Sequence, residues 1–139
     1  MREIKFRLIK NDKIVGYERH ALIDSNISIM HRPTLDSAWK FVYPDFKHWI
    51  CHDDKKQFTG LYDKNGTEIY EGDVVKYYDS FKMWLVSEVI DVGSAFAVKT
   101  PENPIPLYDF VRNYYYDNSS ILEIGVIGNI HENPELLES

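Results

Sequence analysis

Only one cysteine, Cys51, stands in the 139 residues, so no internal disulfide can form and a reducing compartment suits the chain. No stretch approaches the ~20 consecutive apolar residues that a membrane helix requires. The opening MREIKFRLIK also lacks the uninterrupted apolar core of a signal peptide. Positive charge is scarce: 16 Lys and Arg face 22 Asp and Glu, and a net charge of -6 argues against coating nucleic acid by charge alone. There is no sustained 3.6-residue apolar period, no internal repeat and no low-complexity tract. Neither GxGxxG nor GxxxxGK[ST] occurs, so no nucleotide cofactor is indicated. These absences predict a soluble, cytoplasmic protein with no membrane partner and no cofactor. What is present is a 44% hydrophobic fraction, which excludes a disordered chain.

The charge is uneven. Met1 to Thr59 carries 11 Lys and Arg against 8 Asp and Glu, a balance of +3, whereas Gly60 to Ser139 carries 5 against 14, a balance of -9. A split of this size marks subregions with different surfaces, or an acidic half that serves solubility.

Extended structure dominates the pattern. Ile4, Phe6 and Leu8 alternate with Lys5 and Arg7 as a half-buried strand. Asn11-Asp12-Lys13 supplies turn chemistry before Ile14, Val15 and Tyr17, so a hairpin follows. Ala21 to Arg32 reads as one extended run ended by Pro33, Thr34 to Trp39 as one short helical turn, and Lys40 to Tyr43 and Phe46 to Ile50 as two further extended segments. Beyond Phe58 turn signals crowd: Thr59-Gly60, Asn65-Gly66 and Glu71-Gly72-Asp73. Asn-Gly predicts a type I′ hairpin turn. Strands are expected at Asp73 to Asp79, at Phe81 to Val92 and Ser94 to Lys99 joined by Gly93, at Leu107 to Val111 and at Ile121 to Ile130. Thr100 to Pro106, with three prolines, reads as a loop, and Asn133-Pro134 opens a terminal helical turn. The expected class is mainly β. A C-terminal part, 58–139, forms a small, partly open SH3-like barrel, and an N-terminal antiparallel sheet, 1–57, packs on it, as two subdomains or one continuous domain.

The stretch Phe58 to Val75, FTGLYDKNGTEIYEGDVV, carries Thr59-Gly60-Leu61, Asp63, Asn65-Gly66 and Glu71-Gly72-Asp73 in that order. With the opening MREIKFRLI and the closing IGNIHENPELLE, it resembles the signature of the YopX family of phage and prophage proteins. The resemblance implies a phage or prophage origin and a mostly β structure, and it implies no catalytic residue.

His48, Cys51, His52, Asp53 and Asp54 together are zinc-ligand chemistry. On a strand, however, His48 and His52 would share a face about 13 Å apart, with Cys51 on the other face. No metal site is expected unless His20, His31 or His131 converges there. Asp63-Lys64-Asn65-Gly66 has only part of a calcium loop, and the turn reading prevails. Glu71 with Asp73 leaves acid-base chemistry open, but turn carboxylates more often accept backbone amides, so no enzyme is expected.

Twelve of the 20 aromatics follow Gly60. Tyr77-Tyr78 and Tyr114-Tyr115-Tyr116 must each send a ring toward solvent if extended, a candidate protein interface. The function expected is a non-enzymatic binding module acting on an unidentified host or phage macromolecule. Two alternatives stay open. One is nucleic-acid binding by Arg2, Lys5, Arg7, Lys10, Lys13 and Arg19 on the first hairpin; the other is an acidic DNA mimic that occupies a host protein. Edge strands also leave self-association open.

Overall fold

Left-handed turn residues shape the first sheet. The computed structural model describes residues 4–42, 45–78, 84–110 and 123–138. They divide into two compact units, Met1–Phe58 and Thr59–Ser139.

In the first unit β1 (Lys5–Lys10) returns as β2 (Lys13–Ile23) through Asn11 and Asp12, at φ 50° and 60°. Asn and Asp are the residues that tolerate this region best, and two in succession make a two-residue hairpin turn. Asp24 and Ser25, at φ 48° and 67°, repeat the device and return β2 as β3 (Asn26–Arg32). The run 21–32, expected as one extended segment, is therefore a hairpin. β1 also pairs antiparallel with the first half of β5 (Asp54–Tyr62), and β4 (Lys40–Phe41) pairs β3. The strand expected at Phe46 to Ile50 is absent: residues 45–53 are turns and irregular chain, and Phe46 sits at φ 58°. Instead of a helical turn, residues 34–39 hold a turn closed by the Ser37 amide donating to the Thr34 carbonyl (3.3 Å).

A register shift between Leu8 and Ile9 buries both neighbours, which strict alternation forbids. Lys5, expected on the solvent side, is likewise buried, with its ammonium 4.8 Å from the Phe58 ring centroid.

In the second unit the latter half of β5 adjoins β6 (Glu68–Tyr70). A five-stranded antiparallel sheet follows in the order β10-β9-β8-β7-β11, built from β7 (Asp73–Tyr78), β8 (Trp84–Asp91), β9 (Phe96–Val98), β10 (Ile105–Pro106) and β11 (Ile124–Asn129). The protein is mainly β, with two antiparallel sheets, and neither closes into a barrel among the described residues. The core of this unit gathers Ile69, Val75, Tyr77, Val89, Val98, Leu107, Phe110 and Ile124. Residues 107–110 are helical where a strand was expected, because a three-residue spacing sends Leu107 and Phe110 into the same core. Both sheet edges are blunted. Pro106 lies on the β10 edge. At β11 the Ile124 carbonyl accepts from the Lys64 amide (3.2 Å), and the Val126 amide donates to Asp63 Oδ2 (2.9 Å). A 3₁₀ turn, Pro134–Leu137, ends the chain, and Asn133 accepts the Asn129 amide instead of capping it.

Candidate functional site

Three arrangements of polar and aromatic side chains compete for function. The first lies on one face of β1–β3, where strand register lines up Phe6, Glu18 and His31. Glu18 Oε1 accepts from His31 Nε2 (3.0 Å), and Oε2 accepts from His20 (2.9 Å) and from the Lys55 ammonium (3.0 Å). Burial pushes the Glu18 carboxyl up, but the hydrogen bonds from His31, His20 and Lys55 outweigh it and hold the pKa at about 2. His31 Nδ1 accepts the Ile50 amide (3.0 Å), which leaves the proton on Nε2, facing Glu18. Trp49 packs over His31 at 4.7 Å between centroids, and His52 lies 5.3 Å from Trp49. Both nitrogens of His31 and both oxygens of Glu18 are engaged, and each side chain is at most 2% exposed. No substrate reaches them, so this cluster is a structural clasp between β2, β3 and β5.

The second arrangement is the turn-rich signature, where Thr59, Asp63 and Asp73 commit their side chains to backbone. Thr59 Oγ1 donates to the Ile69 carbonyl (2.7 Å). Asp63 Oδ1 accepts the Asn65 and Thr67 amides (2.8 and 2.9 Å) while Oδ2 holds Val126. Asp73, fully buried, accepts the Tyr70 amide (2.8 Å). Gly60, Gly66 and Gly72 all sit at φ between 82° and 86°, a region other residues adopt rarely. Among the residues of the Asn-Gly turn only Gly66 has positive φ, so the expected type I′ turn is a longer loop, closed by the Gly66 amide on the Asp63 carbonyl (3.0 Å). With both oxygens of Asp63 on backbone amides, no calcium loop is built there.

The third arrangement is open to solvent. On the outer face of the second sheet, register sets Tyr78 opposite Trp84, and Lys76 opposite Val86 and Gly125. Lys64 reaches over from the loop after β5. A groove of about 320 Å³ results, lined by Lys64, Asn65, Lys76, Trp84, Gly125, Val126 and Ile127. The Lys64 and Lys76 ammoniums stand 5.0 and 5.2 Å from the Trp84 ring centroid, so they lie within about 10 Å of each other. Gly125 keeps the floor low: a Cβ there would meet only Lys64 Cε, at 3.7 Å. Trp84 is 45% exposed and Tyr78 tilts against it at 5.0 Å. Among the described residues Lys64 pairs with Glu123 Oε2 at 3.3 Å, and both partners are exposed.

Sequence reasoning singled out Tyr78 but not Lys64, Lys76 or Trp84. The signal lay in alternation along β7, which places Lys76 and Tyr78 on one face and leaves Tyr77 buried in the core. Tyr114, Tyr115, Tyr116 and Arg2 lie outside the described residues. Of the hairpin cations, Lys10 and Lys13 are exposed at the turn, Arg7 and Arg19 are half-buried and Lys5 is buried. The strand assumed for His48 to His52 does not exist, yet His31 does approach His52, at 6.0 Å between ring centroids. Among the described residues no three His, Cys, Asp or Glu side chains come together as metal ligands.

No curated protein matches the chain. Among solved structures it is similar to the crystal structure of protein EF1440 from Enterococcus faecalis, at 22% identity over 99% of this chain and 97% of that one, with a TM-score of 0.47. The sequence model of the YopX protein family matches residues 9–138, a span that includes the Asp63 and Asp73 turns and the closing turn at Asn129 to Asn133. By that match over nearly its whole length, the chain belongs to the YopX family.

Proposed function

We propose that the chain is a non-enzymatic binding module, a phage- or prophage-encoded accessory protein of the bacterial cytoplasm, and that it works through the Lys64–Lys76–Trp84 groove. The observation that carries this reading is the contrast between sites. The buried carboxylates and the Glu18–His31 pair are engaged internally, whereas two ammonium groups and a half-exposed indole face solvent together. Family resemblance supports the phage setting, and the single cysteine suits a reducing compartment. Cation–π contact holds each ammonium beside the ring for about 0.5–1 kcal/mol at an exposed site, which preorganises positive charge without neutralising it.

The groove is tested with Trp84 as sole indole reporter, in a Trp39→Phe/Trp49→Phe background. Titration with polyglutamate and with oligo(dT) is expected to give a saturable emission change with at least one polyanion, lost in Lys76→Glu. Absence of any saturable change with both ends this reading.

A further inference from the structure

Resting on that reading of the groove, we infer that its occupant is a short peptide segment of a partner protein in which one or two carboxylates neighbour an apolar side chain. Charge complementarity selects an anion, because among the described residues the charged side chains lining the groove are Lys64 and Lys76. The surroundings decide which kind. Residues 60–139 carry 5 basic against 14 acidic side chains, so a nucleic-acid strand, charged at every nucleotide, meets repulsion along all its length beyond these two ammoniums. A peptide with one or two carboxylates brings only the charges the lysines can meet. In an extended peptide, side chains two residues apart lie about 7 Å apart on one face, a spacing that suits two ammoniums within about 10 Å. Apolar ground is at hand as well: Val86 and Ile127 are 44% and 43% exposed beside the lysines. The exposed Lys64–Glu123 pair is of the kind that contributes little, so an incoming carboxylate can replace Glu123. Binding is through side chains on the sheet face, since the β11 edge is already covered by the Asp63 turn.

The test is selection of a random dodecapeptide display library on the full chain, followed by anisotropy titration of synthetic winners and of labelled dT12. Winners are expected to carry Asp or Glu within two residues of an apolar side chain, and to bind Lys64→Glu/Lys76→Glu at least tenfold more weakly. Both lysines are solvent-exposed, so the variant should keep the wild-type melting temperature; should it not, Lys64→Gln and Lys76→Gln singly are each expected to weaken binding about threefold. Winners without acidic residues, or equal binding to the charge-reversed variant, overturn the peptide assignment. Lysine-dependent binding of dT12 without any such peptide also overturns it, while leaving the groove as the functional site. Loss of lysine dependence for every probe removes both.

Discussion

Glu18 shows how one buried carboxylate ties three strands together. Its pKa of about 2, against an ordinary 4.5, means that the unfolded chain binds more protons than the folded one between these values. Stability is therefore greatest above about pH 5 and declines as pH falls toward 2; the interval corresponds to about 3 kcal/mol. Glu18→Gln is expected to lower stability at pH 7 by about 2–4 kcal/mol, since it removes the charge that faces Lys55 and His20. It should also flatten the decline between pH 5 and 2, which urea unfolding at a series of pH values will read. An unchanged acid limb in the variant assigns the decline to other carboxylates. Gly16 carries a separate constraint on the same sheet: a Cβ there would lie 2.8 Å from the Arg32 carbonyl and 2.6 Å from Ile50 Cδ1. Because one of these atoms is backbone, Gly16→Ala is expected to cost about 1–3 kcal/mol, while Gly125→Ala, which meets only an ordinary contact, leaves the urea midpoint nearly unchanged.

At the scale of elements, the Asp63 turn acts as a clip on β11. One carboxylate organises its own loop with Oδ1 and covers the Val126 amide with Oδ2. Asp63→Asn keeps the shape but must turn an amide NH₂ toward an N–H donor on one side, so a loss of about 1–3 kcal/mol is expected. Faster hydrogen exchange at the Val126, Asn65 or Thr67 amides than in the wild type identifies which side gives way; unchanged exchange at all three would remove the clip. Turns of this kind were legible in the sequence, because the chemistry of Asn11-Asp12, Gly66 and Gly72 is local. The hairpin at Asp24-Ser25 was missed for a related reason: neither residue is glycine, and apolar residues run on both sides. The helical turn at 107–110 was missed because two apolar residues three apart fit a short strand almost as well. Neither the Glu18 clasp nor the Lys64–Trp84 groove was legible: the clasp joins residues 13 and 37 apart in the chain, and the groove needs Lys64, from a loop before β7, set beside Trp84 of β8, which only the fold reveals.

For the whole molecule, net charge and local charge act at different ranges. The chain is acidic overall at -6, and residues 60–139 hold most of that excess, yet two of their five basic residues sit beside Trp84. Long-range repulsion of an anionic ligand is screened over about 8–10 Å at physiological salt, whereas contact with an ammonium is weakened much less. Adding salt therefore relieves repulsion and weakens attraction together, and the two changes partly cancel. A peptide that carries one or two carboxylates has no condensed counterions to release, so its Kd is expected to rise less than about threefold between about 50 and 200 mM salt. Two phosphate contacts to a single-stranded nucleic acid would instead weaken binding about sevenfold over the same range. Anisotropy titrations at four salt concentrations separate these slopes. A steep one would place counterion release, and hence a polyelectrolyte partner, at the Lys64–Lys76 groove.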